Sequence, residues 1–372
     1  MNLDFSEDQK FLQNEARKFL EKEESLRRAR HVLEQKDGCD NELWKKIVDM
    51  GWTGINIPEQ YDGLGLSHLE LCVVAEELGR CLAPVPFASS VYLFTEALVK
   101  HADEQVKQDL LPKLVTGDCV GTLAVTEQLH APNADNISVT VSEDKITGRK
   151  IAVPDADIAT HCVVVCKGNN GIELRLVDLS QNCEITAVDT IDDSRGHFSM
   201  DFTDAHSQRL GEVGEGWNLL QLLLNQAAVL ISFEQIGGAQ AALDMANAYA
   251  QQRYAFGRAI GSYQGIKHKL ADMYIKLTLA KSNSYYAAWA LSTDSSELPL
   301  AAATARVSAT EAFNFCAQEN IQTHGGNGYT WEYDCHLFYR RAKLLSVTIG
   351  SLANWQEKLV KELENLHCDH VS

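Results

Sequence analysis

The sequence is short of several things that would fix its class at once. Its ten cysteines contain no CxxC pair, which removes the usual spacing of a zinc ribbon or a dithiol redox motif. The closest two, Cys162 and Cys166, stand in a strand-like run. The cysteines therefore read as reduced, buried thiols of a cytoplasmic protein, with no metal site expected. Basic residues are scarce: 33 Lys and Arg face 51 Asp and Glu, a net charge of −18. That sign argues against non-specific nucleic-acid binding, which needs a basic surface. It leaves anionic cofactors open, because a pyrophosphate needs only one or two local cations or helix N-termini. The first residues carry no apolar signal core. No run is expected to reach transmembrane length, so no membrane partner is expected. Internal repeats, low-complexity linkers and heptads are also missing.

What is present is enough apolar residue for a large core, 45% over 372 residues, and a change of pattern along the chain. Residues 1–118 read as an all-α domain. Phe5, Phe11, Leu12, Ala16, Phe19 and Leu20 recur at helical spacing behind a Ser6 N-cap. A glycine- and proline-marked loop follows the second helical block, then a helix over 69–82. Residues 119–210 form short β runs at 122–125, 137–141, 161–166, 172–177 and 197–202, the pattern of a small barrel-like β domain. Residues 211–372 are helical again, over 219–249, 264–291, 298–323 and 337–366, and suit an antiparallel four-helix bundle. The class is α+β.

Five motifs stand in order on these elements. Met50 to Leu66 reads MGWTGINIPEQYDGLGL, and Glu76 to Phe87 continues it. Leu210 to Trp217 reads LGEVGEGW. Gly237 to Asp244 and Gln252 to Gln264 give GGAQAALD and QRYAFGRAIGSYQ. Gln322 to Thr330 reads QTHGGNGYT. Together they resemble the acyl-CoA dehydrogenase family over nearly the whole chain. The resemblance implies FAD bound between subunits, one covering the flavin and holding an acyl-CoA, its neighbour gripping the ADP half. It also implies α,β-dehydrogenation of the thioester, with a base opposite the flavin, and an electron-transferring flavoprotein as acceptor.

Carried over residue by residue, the ADP end is complete. Arg253 matches the arginine that meets the pyrophosphate, for which a guanidinium fork is suited. Phe256, Gln264, Gln322, Gly325 and Gly326 match positions lining the ADP moiety. The flavin end is not complete. The family's "TEP.aGSD" stretch reads Thr126-Glu-Gln-Leu-His-Ala-Pro-Asn133 here; Thr126 and Glu127 remain and the Gly-Ser pair does not. In Gly148-Arg-Lys-Ile-Ala-Val-Pro154, Ala152 stands where an aromatic covers the flavin. Both positions that supply the family's base lack a carboxylate. Ile349 occupies the C-terminal one, and Ala227, 26 residues before Arg253, occupies the other. Ala228 replaces an arginine and Ala353 a polar residue. Glu234 is a weak base candidate, about 10 Å further along the helix axis than Ala227.

These losses point to the base-less subunit of an α2β2 heteromer, paired with a paralogous subunit and serving an acyl-CoA substrate, as in steroid-type members. Two alternatives stand beside it: a self-contained enzyme using Glu234, and a flavin-free scaffold or regulatory subunit.

Overall fold

The computed structural model describes residues 5–371, with side chains through residue 366. The order is helical, then sheet, then helical, as expected. Helices α1 (Glu7–Lys22), α2 (Ser25–Gln35), α3 (Asn41–Asp49) and α4 (His68–Arg80) come first. A π-helical stretch, Ala88–Thr95, runs into α5 (Glu96–His101), and α6 (Glu104–Thr116) follows. Ser6 caps α1 reciprocally: the Gln9 N–H donates to Ser6 Oγ at 3.2 Å and the Ser6 N–H to Gln9 Oε1 at 2.9 Å. Asp40 and Asp103 cap α3 and α6 one way, their side chains accepting the Leu43 and Val106 N–H groups.

The sheet comprises β1 (Gly121–Ala124), β2 (Thr140–Ser142), β3 (Lys145–Pro154), β4 (His161–Gly168), β5 (Gly171–Asp178), β6 (Cys183–Ala187) and β7 (His197–Leu210). It closes on itself. β4 pairs with β5, β5 with β7, β7 with β3, β3 with β2, and β2 returns to β4 through Thr140 opposite Lys167. β1 adds in parallel to β4, and β6 antiparallel to β7. Val141, Ile146, Val153, Cys162, Val164, Cys166, Val177 and Met200 fill the interior. Two of these strands lie outside the sequence expectation. β6 alternates, with Cys183 and Ile185 half-buried against the barrel interior, but it is five residues long with no fully buried side chain, so its signal is weak. β3 carries Lys, Thr, Gly and Arg early on, and its register shifts twice against β7, which breaks the period-2 signal.

The helical remainder is α7 (Gly216–Gln252), a two-stranded hairpin of β8 (Tyr254–Ala255) and β9 (Arg258–Ala259), α8 (Gln264–Ser292), α9 (Leu298–His324), α10 (Cys335–Leu345) and α11 (Leu352–Val371). Two expectations need correction. A single helix over 337–366 is two, α10 and α11, because Ile349 and Gly350 both take positive φ, +54° and +116°. And one run does reach transmembrane length and apolarity: α7, with a mean hydropathy of 1.3 in a window that is 78% buried inside the protein. A helix apolar all round is what core burial requires, so length and composition alone do not make α7 a span.

The chain falls into two compact units built from interleaved segments. One is Met1–Arg30, His68–Ala83 and Ala228–Ser372; the other is His31–Ser67 and Pro84–Ala227. In the first, α4 and α7 touch backbone to backbone. A Cβ on Gly79 would lie 2.0 Å from the Glu234 carbonyl oxygen, and one on Gly237 1.9 Å from that of Glu76. In the second, a buried ion pair ties β3 to the segment after β1. Lys150 Nζ donates to Glu127 Oε1 at 2.7 Å and to the Val125 carbonyl at 3.0 Å. Glu127 also accepts from the Ser138 and Val139 N–H groups, at 2.7 and 3.1 Å.

Burial depresses the Lys150 ammonium against the pull of Glu127. Burial also pushes the Glu127 carboxyl up, but the hydrogen bonds from Lys150 and Ser138 outweigh it and hold it below its ordinary value of 4.5. Glu127 therefore contributes stability above pH 4.5 that is lost as pH falls through the lower folded value. Lys150→Met leaves that carboxylate buried without its cation. It should cost about 3–5 kcal/mol at pH 7, read by urea unfolding, and the deficit should shrink as Glu127 becomes protonated in acid. An unchanged midpoint at pH 7 would remove the pair from the structural account.

Candidate functional site

The six residues of the expected ADP end meet at one end of the first unit. α7 stops at Gln252, and Arg253 opens the hairpin. Its N–H donates to the Tyr249 carbonyl at 2.9 Å, and its own carbonyl accepts from the Ile260 N–H at 2.8 Å. The hairpin tip is Phe256-Gly257, with φ of +51° and +80°. A two-residue turn with both central residues at positive φ is type I′, which favours Asn-Gly. A bulky residue there is strained. The hairpin is braced from behind: Tyr263 Oη donates to the Ala255 carbonyl at 2.9 Å, and the Arg258 guanidinium lies 3.9 Å over the Tyr263 ring. Phe256 is 98% exposed, so nothing within this chain explains why an aromatic is held there.

The second prong is the glycine loop after α9. Gly325 has φ +60° and ψ −133°, a region essentially restricted to glycine. Gly326 is different. Its φ is not positive, and a Cβ there would meet nothing within 4 Å. Among the described residues nothing stands where a Cβ at 326 would be, so the bare backbone is open to approach from outside. Gln322 and Gly326 are exposed. The loop lies beside the end of α7. The Asn327 amide donates to Tyr249 Oη at 3.1 Å, and the His324 ring stacks on the Tyr249 ring at 4.0 Å between centroids. An ion pair between Lys269 and Glu319 ties the start of α8, and so Gln264, to the end of α9. No side chain caps α8. Arg253, Phe256, Gln264, Gln322, Gly325 and Gly326 thus surround one exposed edge, where backbone N–H groups and a guanidinium can receive a diphosphate. Sequence reasoning missed Tyr249, Asn327 and Tyr333 behind this edge. The signal was faint: a tyrosine one turn before Arg253 and an asparagine inside the glycine run.

The flavin end looks different. Thr126 lends its carbonyl to the Ile151 N–H at 2.8 Å, and Glu127 is paired with Lys150. The residues that survive from both motifs are those that hold β3 in the barrel. Ala152, at φ +52° inside a register shift, is exposed and presents only a methyl group.

At the positions that the resemblance assigns to the base, Ala227 is fully buried, as is its neighbour Ala228. Ile349 stands half-buried in the turn between α10 and α11. That turn is held by Arg306, whose guanidinium donates to the carbonyls of Leu345 and, at 2.9 Å, Thr348, and to Gln235 Oε1 at 2.6 Å and Thr310 Oγ1 at 2.7 Å. Burial pushes Arg306 down to about 9, while the charge of Glu234 opposes the shift. Glu234 itself is fully buried, in the α4–α7 contact that Gly79 and Gly237 make possible. Clefts of about 450 Å³, beside Gly261 and Lys267, and about 290 Å³, beside His161 and His206, have none of Thr126, Ala152, Ala227, Glu234 or Ile349 in their walls.

Two family models match the chain: acyl-CoA dehydrogenase, N-terminal domain, over residues 6–118, and acyl-CoA dehydrogenase, C-terminal domain, over residues 214–359. The chain is 32% identical over 336 residues to the mitochondrial isovaleryl-CoA dehydrogenase of Solanum tuberosum, covering 84% of this chain and 80% of that one. Among solved structures it resembles the Tcur3481-Tcur3483 steroid ACAD, at 26% identity and a TM-score of 0.88 over 97% of this chain and 99% of that one. It also resembles the ChsE4-ChsE5 complex from Mycobacterium tuberculosis, at 25% identity and a TM-score of 0.89 over 98% and 99%.

The strain at Phe256 is testable without any ligand. Asn accepts the left-handed region that Phe resists, by about 1–2 kcal/mol. Because the Phe256 side chain packs on almost nothing within the chain, Phe256→Asn should raise the stability of the purified chain by about 1 kcal/mol in urea melts. A loss of stability would mean that the ring is held by contacts within this chain.

Proposed function

Because the chain belongs to the acyl-CoA dehydrogenase family, whose membership indicates FAD as cofactor, we propose that it is the base-less subunit of a heteromeric acyl-CoA dehydrogenase and supplies the ADP end of the FAD site. The observation that carries this reading is the contrast at Gly326 and Ala227. Glycine is kept where this chain's own fold has no use for it, and a fully buried alanine fills a base position. A protein that had given up the cofactor would have no physical reason to keep the first; a self-sufficient enzyme of the family's pattern would need a carboxylate at Ala227 or at Ile349, and has one at neither.

The fit to the ADP end is good. Arg253 would set its fork on the pyrophosphate, and the Gly325–Gly326 backbone would approach it. Gln264 and Gln322 would hydrogen-bond, and Phe256 would cover an apolar face. When bound, FAD supplies the hydride acceptor of the dehydrogenation. A paralogous subunit would supply the base and the flavin pocket in an α2β2 assembly. The substrate class we infer is a branched or steroid acyl-CoA thioester, in keeping with the names of the relatives, and the acceptor an electron-transferring flavoprotein. Glu234 is read as a structural carboxylate, since full burial at a glycine-mediated helix contact leaves it no route to a substrate Cα proton.

Two outcomes are expected. The purified chain, given FAD and an acyl-CoA but no partner, should show no bleaching of flavin absorbance in a single turnover; bleaching would restore Glu234 as the base. Arg253→Ala in the co-expressed complex should leave assembly intact but lower FAD affinity about tenfold or more, since charge-assisted hydrogen bonds contribute roughly 1.5–3 kcal/mol each. The flavin-to-protein ratio of the purified assembly reads it. An unchanged ratio would reduce the clamp to a relic and this chain to a brace.

A further inference from the structure

The two prongs of the clamp come from chain segments about seventy residues apart, and one of them is made of glycine. Gly325 and Gly326 have no atoms packed where a side chain would be. Glycine loses the most conformational freedom on ordering, so the loop's position must be imposed by its neighbours. Both neighbours attach to the same side chain. His324, immediately before the glycines, stacks on Tyr249 at 4.0 Å with 27° between the rings. Asn327, immediately after them, donates its amide to Tyr249 Oη at 3.1 Å. Tyr249 lies one helical turn before Arg253 and accepts the Arg253 N–H on its carbonyl at 2.9 Å. Tyr333 closes the group. Its ring is edge-on to Tyr249 at 6.0 Å and to His324 at 5.6 Å, and its hydroxyl lies 3.4 Å from the Asn327 amide.

We propose that Tyr249 and His324 are positioning residues. Together they fix the spacing between the Arg253 guanidinium and the Gly325–Gly326 backbone, and so set how tightly the chain grips a diphosphate. The proposal rests on the ADP-clamp reading. The Tyr249 side chain reaches both flanks of the glycine pair, and its backbone carbonyl accepts the Arg253 N–H, so one residue joins the two prongs. His324 is suited to the stack in its neutral form. Burial lowers its imidazole from the ordinary value, and Nδ1, 2.9 Å from the Asn320 carbonyl, must carry the proton, because a carbonyl only accepts. The ring is thereby locked in plane from one side and stacked from the other. None of these side chains needs to touch the ligand. They act through the backbone they hold.

The experiment is an FAD titration of the assembly in which the full chain purifies, with thermal unfolding run in parallel. Tyr249→Phe keeps the ring and removes the hydroxyl that Asn327 bonds. It should weaken FAD about threefold to tenfold while the thermal midpoint and assembly stay as in the parent. Asn327→Ala also removes the amide's contact with Tyr333, so it should weaken FAD at least as much, and the double variant should lose no more than Asn327→Ala alone. His324→Phe, which keeps the stack, should retain FAD better than His324→Ala. Arg253→Ala is the reference. Weakened binding in Arg253→Ala with parental affinity in Tyr249→Phe would overturn the positioning role and leave the clamp standing. Parental affinity in both would sink the clamp reading and this inference with it. Additive losses in the double variant would also overturn it, since Tyr249 and Asn327 would then act separately.

Discussion

The helical end of the protein turns on one buried guanidinium. Arg306 is 1% exposed, and its fork reaches three elements at once: Gln235 on α7, Thr310 on its own helix α9, and the carbonyls of Leu345 and Thr348 where α10 ends. Carbonyls at a helix C-terminus carry partial negative charge and lack intrahelical partners. A fixed planar cation suits them in a way a flexible ammonium would not. Arg306 thereby ends α10, and the chain turns at Ile349–Gly350 before Ser351 and Asn354 cap the start of α11 through exchanged hydrogen bonds. The charge of Glu234 on α7 acts on Arg306, which helps to explain an acid buried in so apolar a helix.

Among the non-glycine residues at positive φ, Ala152, Phe256 and Ile349 stand where the family's motifs serve the flavin, the ADP moiety and the base, and they divide by what their side chains offer. Phe256 offers a fully exposed ring. Ala152 and Ile349 offer hydrocarbon without a titratable or hydrogen-bonding group. Strain of this kind persists where surroundings over-determine the backbone. For Ile349 the surroundings are Arg306 and the capped start of α11; for Ala152 they are the register shifts that fasten β3 to β7. The backbone frame of the flavin and base positions is retained for reasons of packing, while the chemistry once carried by side chains is gone. At the ADP edge the reverse holds: Gly326 answers to no packing need, and exposure is kept. That asymmetry is what supports the proposed half-site reading.

Conserving a motif letter and conserving its function are therefore separable here. Thr126, Glu127 and Lys150 survive because they join two segments of the barrel, and a buried carboxylate-ammonium pair is costly to break from one side. Their presence says little about a flavin ring nearby.

The sequence by itself determined the α, β, α order, the Ser6 cap, most positions of the strands of the large sheet and which residues stand at the family's motif positions, because apolar periodicity and short motifs report local burial and local backbone form. It also determined that neither base position can take a proton, since alanine and isoleucine have no group to do so. Only the tertiary structure decided that α10 and α11 are separate helices, that β3 and β6 are strands, and that Tyr249, His324 and Asn327 form one group. It also decided that α7, apolar enough to pass for a membrane span, is largely buried inside the protein. Those features depend on partners far away in the chain: Arg306 for the turn, β7 for the two strands, α9 for Tyr249. No local window contains the group that satisfies them.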